Sequence, residues 1–246
     1  MPTRSMSEPV PPDLSIVLAT YNEIDNLPEL IRRIAAILKV NHEIIFCDDG
    51  SKDGTKEFIV DYCSTHSNGK YILSDVKQTT LIARYRGVMA STGRFVVIMD
   101  SDLQHPPEKL IEIYNKLNEG YDMVIASRFA PGGSTGDRKA IRGVISRAAS
   151  FISKILLKSA RGISDPMSNF IGFRRDLNII IDRKWRGFEI PLCIMSSNKN
   201  LKIAEIGYVF KERTAGSSKV TQNMKFMKIF IREMINYRNN EKKVGK

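Results

Sequence analysis

Cysteine is scarce in this sequence. Cys47, Cys63 and Cys193 are the only three; they are odd in number and form no CxxC pair, which excludes a zinc ribbon and a disulfide framework and makes a reduced, cytoplasmic setting the expectation. Long apolar runs are missing too. No uncharged stretch approaches the ~18 residues of a membrane-crossing helix, and the Pro-rich start from Met1 to Pro12 has no signal-peptide core, so the chain is expected not to span a membrane. Neither glycine signature of phosphate-binding α/β enzymes occurs: there is no G-x-G-x-x-G after the first strand, as a dehydrogenase would have, and no G-x-x-x-x-G-K-S/T, as a P-loop enzyme would have. No internal repeat is present.

What is there is an ordinary globular composition, 42% hydrophobic and 26% charged over 246 residues, enough for one large α/β domain or two small ones. The net charge of +11 is unevenly spread. Residues 1–137 are net acidic. Residues 138–161 hold Arg138, Lys139, Arg142, Arg147, Lys154, Lys158 and Arg161 with no acidic side chain, and the segment from 219 onward is again strongly basic. Charge concentrated in two late segments suits a partner site; nucleic acid, a phosphorylated ligand and an anionic membrane surface all fit it.

Hydrophobic periodicity gives the organisation. Leu14–Ala19 is a short β-branched run of the kind buried in a parallel sheet. Leu27, Leu30, Ile31, Ile34, Ile37 and Leu38 follow at helical spacing, and Glu43–Cys47 is the next strand, which completes a βαβ unit. The alternation continues with a helix near Thr55–Ser64, a strand near Tyr71–Leu73, a helix near Leu81–Ala90, a strand at Arg94–Met99, a helix over about Pro107–Asn118 and a strand at Asp122–Ala126. This predicts an α/β fold, an open, mostly parallel sheet with helices on both faces. Beyond Arg128 come a Gly-rich loop (Pro131–Gly136), an apolar and basic helix over about Ala140–Lys158, a mixed region, and an amphipathic helix over about Gln222–Tyr237. The expected division is a flexible tail at 1–13, an α/β domain at 14–220, and a basic amphipathic helix and tail at 221–246.

In open α/β sheets ligands bind beyond the carboxyl ends of the strands. Three such ends are acidic or polar: Thr20-Tyr21-Asn22-Glu23, Asp48-Asp49-Gly50-Ser51 and Asp100-Ser101-Asp102-Leu103-Gln104. Asp100 and Asp102, with the amide oxygen of Gln104, offer hard oxygen ligands for Mg²⁺ or Mn²⁺, which in turn can hold a diphosphate. Asp48 and Asp49 can accept hydrogen bonds from a nucleobase or ribose; equally, D-G-S-x-D-G-T is a turn that caps the next helix. Tyr21 can offer an aromatic face to a base.

LATYNE, CDDGSKDGT and MDSDLQHPPEKL, in this order and spacing, resemble glycosyltransferase family 2 with the GT-A, Rossmann-like fold. With ASRFAPGGS, IRGVISRAASFISKILL, DPMSNF and RTAGSSK, the chain resembles the polyprenyl-phosphate (dolichol-phosphate) mannose synthases over roughly Leu14–Phe230. The resemblance implies that Ala19, Tyr21, Glu23, Cys47, one or both of Asp48 and Asp49, Asp100, Ser101, Asp102 and Gln104 hold the nucleotide sugar. Asp100, Asp102 and Gln104 would carry the Mg²⁺ or Mn²⁺, and Arg213 and Lys219 would close over the diphosphate. Arg128, Arg142 and Ser146 would receive the acceptor phosphate, which makes Asp102 and Arg128 the catalytic pair. It further implies transfer of a hexose, expected to be mannose from GDP-mannose, to dolichyl or another polyprenyl phosphate at the cytoplasmic face of a membrane, with the anomeric carbon inverted and no nucleic acid partner. UDP-glucose or another sugar nucleotide as donor, and a glycan hydroxyl as acceptor, are the alternatives.

Several positions depart from that family pattern. Ala19 replaces a usual Pro, Thr79-Thr80-Leu81-Ile82 a Gly-rich stretch, Asn169 a common Gly, and Pro191-Leu192-Cys193 lacks a frequent acidic residue; these bear on the donor sugar. A phosphate acceptor with second pKa near ~6 is mostly ionised at neutral pH and needs no base. The late E-D pair and Q-x-x-R-W of hydroxyl-accepting relatives are absent, leaving Asp165 and Glu189 as weaker base candidates. In the 140–158 helix, Ile141, Val144, Ile145, Ala148, Phe151, Ile152, Ile155 and Leu156 share one side with basic groups between them, a pattern fitting a membrane interface as well as a core. Met224, Met227, Ile231, Met234 and Ile235 repeat it in the last helix.

Overall fold

The computed structural model describes residues 10–136, 140–179, 190–211 and 224–244, with backbone only for 140–145 and 224–229. In chain order the elements are β1 (Leu14–Thr20), α1 (Leu27–Ile37), β2 (His42–Asp48), α2 (Thr55–Thr65), β3 (Gly69–Leu73), α3 (Thr80–Ala90), β4 (Phe95–Asp100), α4 (Lys109–Asn118), β5 (Met123–Ser127), α5 (Ala140–Leu156), β6 (Ile171–Arg174), α6 (Ile190–Ser197), β7 (Ile203–Gly207) and α7 (Met224–Val244). The strands form one seven-stranded sheet in the order β3-β2-β1-β4-β6-β5-β7. All neighbours are parallel except β6, which runs antiparallel to both β4 and β5.

The central strands are apolar on both faces because both faces are covered. On one side Leu27, Leu30, Ile31 and Ile34 of α1, Ile59 of α2 and Leu110, Ile113 and Leu117 of α4 pack on Leu14, Ile16, Leu18, Phe46 and Val97. On the other, Leu81 and Val88 of α3, Ile190–Met195 of α6, and Phe230, Met234 and Tyr237 of α7 pack on Val17, Ile45, Val96 and Ile98. The expected elements through β5 are all present, and the mostly parallel sheet with helices on both faces is what the alternation predicts. Within the mixed region the structure adds β6, α6 and β7, which periodicity does not reveal. The last helix extends to Val244, beyond the expected Tyr237.

Two local features set the site. Gly87 lets α3 lie against the sheet: a Cβ there would stand 2.4 Å from Val17 Cγ1 and 2.6 Å from Cys47 Sγ. Register aligns the strand ends. Ala19 pairs with Cys47 on one side and with Asp100 on the other. Ile98, Ile171 and Ile125 share a row across β4, β6 and β5, so Asp100 and Ser127, each two residues further on, end side by side, roughly 10 Å apart at two strand spacings.

On α5 the expected single apolar side is divided. Ala149, Ser150, Ser153 and Leu157 are buried, whereas Phe151 and Ile155 are 64% and 57% exposed. Small and hydroxyl side chains let the helix approach its neighbours closely, and two of its largest apolar groups face outward. Ile231 and Ile235 of α7 are likewise exposed.

Candidate active site

The loops after β1 and β2 are zipped together. Asn22 takes Lys52 N–H on its carboxamide oxygen at 2.8 Å and gives its own N–H to Ser51 Oγ at 2.8 Å. Glu23 N–H donates to Thr55 Oγ1, and Ile24 N–H to Asp53. Burial raises the Asp53 carboxyl, but the hydrogen bonds from Thr55 and Ile24 outweigh it and hold its pKa below the ordinary value.

Within this frame Asp48 and Asp49 have different environments. Asp48 accepts from Thr20 Oγ1 and from the hydroxyl and N–H of Ser51 and the N–H of Gly50, so it caps the turn. Asp49 accepts Gln78 N–H at 2.8 Å, and burial pushes its pKa up despite that bond and nearby Lys77 and Arg86. It lines a small pocket with Cys47, Ile72, Gln78 and Arg86. Cys47 contributes a thiol pushed up to about 12 by burial, an inert wall and not a nucleophile. Tyr21 stands at the rim, its ring 3.6 Å from Lys77 Nζ. Glu23 is buried and accepts from Asn26 Nδ2 at 2.7 Å, which makes it part of the α1 start.

At the end of β4, Ser101 Oγ donates to the Ala19 carbonyl. Leu103, φ 61°, turns the chain left-handed between Asp102 and Gln104, a conformation costing about 1–2 kcal/mol for a residue with a Cβ. Asp102 is buried and accepts Gln104 N–H at 3.2 Å. Gln104 Nε2 donates to the Lys211 carbonyl at 3.1 Å. Asp100, about one third exposed, accepts Arg84 Nη2 at 2.5 Å. Its N–H donates to His105 Nδ1, and that imidazole is stacked on Phe170 at 4.9 Å. Periodicity and motif give Arg84 and His105 no role, although His105 stands within MDSDLQHPPEKL; the tertiary approach to Asp100 reveals both.

Two hard carboxylates one residue apart suit Mg²⁺ or Mn²⁺, which bind through one or two carboxylates while substrate phosphates and water complete the shell. Asp100 and Asp102 therefore fit such an ion. Among the described residues no group of three or more His, Cys, Asp or Glu is placed to hold a metal ion.

Beside these strand ends, Arg128 follows β5. Its Nε and Nη2 donate to Asp165 Oδ2 and Oδ1 at 2.7 and 2.8 Å, and its N–H reaches Oδ2 at 3.2 Å. Asp165 is fully buried. This corrects the reading of Asp165 as a base: both oxygens are committed to Arg128, and no water or hydroxyl can reach a buried, fork-paired carboxylate. Glu205 of β7, also absent from the sequence reading, holds the loop in place by accepting Ser164 N–H, Ser164 Oγ and Asp165 N–H at 2.8, 2.6 and 3.2 Å. Arg128 borders an open cleft of about 610 Å³, lined also by Phe129, Ser134, Arg147, Phe151, Lys154 and Ser164. Ser146 is half-buried on α5. The side chains of Arg142, Arg213, Lys219 and Glu189 lie outside the described residues.

A model of glycosyl transferase family 2 matches residues 15–180, which contain all three acidic strand ends and the Arg128 loop. The chain belongs to this family. As a family 2 member it is similar to the dolichol-phosphate mannosyltransferase of Pyrococcus furiosus, at 34% identity over 84% of this chain. The match spans 59% of that relative's own length. It is 30% identical to the polyprenol monophosphomannose synthase of Mycolicibacterium smegmatis over 84% of this chain and 80% of the relative. Among solved structures it matches glucosyl-3-phosphoglycerate synthase from Mycobacterium tuberculosis, crystallised with Mn²⁺, UDP and glucosyl-3-phosphoglycerate. The TM-score is 0.64 at 17% identity, covering 92% of this chain and 78% of the other. That likeness establishes the GT-A fold of this family 2 member.

Proposed function

We propose that the chain transfers mannose from GDP-mannose to dolichyl or a related polyprenyl phosphate, inverting the anomeric carbon in a Mg²⁺- or Mn²⁺-dependent reaction. The observation that carries this is the row of strand ends along one end of the sheet: Asp49 follows β2, Asp100 and Asp102 lie at the end of β4, and Arg128, which borders a cleft with Phe129 and Phe151, follows β5. A cation-lined, aromatic-walled cleft matches a phosphate carried on an apolar chain. The two relatives named above act on such lipids by name.

The chemistry follows from the residues. Tyr21 and Asp49 receive the nucleoside, since Asp48 is committed to its turn. Asp100 and Asp102 hold the divalent ion, which when bound neutralises charge developing on the departing diphosphate. Arg84 fixes Asp100, and Arg128 orients the acceptor phosphate. An acceptor oxygen forms the new bond to the anomeric carbon as the bond to the diphosphate breaks, and the electron pair leaves with the nucleoside diphosphate. The attacking phosphate is already ionised, so no proton moves and no base is needed; the commitment of Asp165 to Arg128 supports this. Arg213 and Lys219 are proposed to close over the diphosphate, and Arg142 and Ser146 to assist the acceptor phosphate.

Among the described residues no helix is long and apolar enough to cross a membrane. We place the protein on the cytoplasmic face, held by the exposed Phe151 and Ile155 with the exposed Lys158 beside them. The test is lipid product formed from polyprenyl phosphate with GDP-mannose, UDP-glucose or other donors, with and without metal. GDP-mannose is expected to give the highest kcat/KM. Asp102→Ala is expected to lower kcat/KM by at least 10²-fold with an unchanged circular dichroism spectrum; unchanged turnover would remove the metal assignment, and preference for UDP-glucose would replace the donor.

A further inference from the structure

The cation expected to meet the acceptor phosphate is already neutralised. Arg128 and Asp165 form a two-pronged pair with side chains 8% and 0% exposed, so the pair adds hydrogen-bond donors to the cleft but no net positive charge. A phosphomonoester carries about −1.5 to −2 at neutral pH. Taking such an anion out of water needs compensating charge close by.

Two further cations border the same cleft. Arg147 and Lys154 of α5 are seven residues apart, two helical turns, and therefore share a face about 10 Å long. Arg147 is tied to Arg128 through Phe129, whose ring centroid lies 5.4 Å from the Arg128 guanidinium and 5.5 Å from that of Arg147. The ring thus sets both guanidinium groups at one end of the cleft, while Lys154 and Phe151 lie further along it. No acidic side chain lines the cleft among the described residues, and none occurs anywhere in 138–161. Arg147 is exposed and Lys154 half-buried, so neither is needed for the core.

We propose that Arg147 and Lys154 supply positive charge, in addition to Arg142, to a subsite for a phosphomonoester on an apolar chain, with Arg128 acting there as a charge-neutral donor template. This rests on reading the cleft as the acceptor site. It separates two tasks: Arg128 fixes orientation through its rigid partner, whereas the α5 pair sets affinity and its dependence on salt.

The experiment compares wild type with Arg147→Gln, Lys154→Gln and the double variant on neutral phosphatidylcholine vesicles carrying polyprenyl phosphate, at several ionic strengths. Each single change is expected to raise the acceptor KM about tenfold, the value of one charge-assisted contact. The double variant should also lose most of the salt dependence of KM. The kcat, the Kd for sugar nucleotide and Tm should stay within about twofold or a few degrees of wild type, and Arg147→Lys should recover most of the loss. An unchanged acceptor KM in the double variant, or equal losses in kcat and donor affinity, overturns the assignment. Reduced binding only to anionic vesicles lacking polyprenyl phosphate, with KM on neutral vesicles unaltered, also overturns it, because the pair would then serve the surface and not the acceptor. Wild-type protein that transfers to no polyprenyl phosphate overturns the functional reading itself and this inference with it.

Discussion

Asp48 and Asp49 show how neighbouring side chains of one type divide their work. Sequence alone leaves open which of them meets the nucleotide. The structure surrounds Asp48 with donors from Thr20, Gly50 and Ser51, while Asp49 is left at the pocket with its pKa raised by burial. The folded state holds the Asp49 proton more tightly than the unfolded chain does. Its burial penalty is therefore fully present above the folded pKa and is relieved as pH falls towards the ordinary value near ~3.9. Asp49→Asn is expected to raise Tm at neutral pH and to weaken sugar-nucleotide binding about tenfold, the value of one lost charge-assisted hydrogen bond. In wild type, donor affinity should fall on acidification at a higher pH than an ordinary aspartate would give, and the variant should flatten that profile. Thermal unfolding and donor titration between pH 4 and 8 check both. Asp100 and Asp102 are legible as chemistry because an apolar strand ending in carboxylates has no core use for them. Arg84 and Glu205 are not, because each lies inside a regular element and gains its role only from a partner distant in sequence.

Among the elements, α3 supports the ends of β1, β2 and β4. Its Gly87 touches β1 and β2 without a side chain, and one turn earlier Arg84 reaches Asp100. Gly87→Ala is expected to cost about 1–3 kcal/mol through overpacking against Val17 and Cys47, and to raise the donor KM as Arg84 is displaced from Asp100. Denaturant unfolding and donor kinetics read the two effects; a stability loss without a KM change would show that α3 tolerates the shift. β1, β2, β4 and β5 are legible as apolar runs bounded by turn residues, and the shorter β3, with Ile72 its single β-branched residue, by its place in the alternation. β6 is only four residues, Ile171-Gly172-Phe173-Arg174, and β7 is half-buried without clear alternation, so neither carries a periodic signal strong enough to read. On α5 hydrophobicity alone leaves interface and core both open; the structure exposes Phe151 and Ile155 and buries Ala149, Ser150 and Ser153.

On the scale of the molecule, the net charge of +11 resolves into a net acidic N-terminal half, with carboxylates at three strand ends, and basic segments that include α5 and α7. Exposed apolar groups on those basic helices give the surface reading a direct check. Phe151→Ser with Ile155→Ser is expected to reduce sedimentation with anionic vesicles severalfold, each buried apolar side chain being worth about 1.5–3 kcal/mol. Because both residues are already exposed, Tm should change little; unaltered sedimentation would move the contact elsewhere. The fold class was legible from alternation, and the family from the strand-end motifs, while the pairing of Arg128 with Asp165 and the order of the last three strands required long-range contacts that periodicity does not encode. That strand order has a consequence for synthesis. β4 and β5 are not neighbours in the sheet until β6, some seventy residues after β4, is inserted between them. During translation the apolar edges of both therefore remain unpaired while the whole α5 segment emerges, and the β1–β4 half can form before the β5–β7 half has a sheet to join. The nascent chain thus passes through a stage with an open, apolar sheet edge, which is the stage at which slowed translation or a missing chaperone would divert it into aggregates.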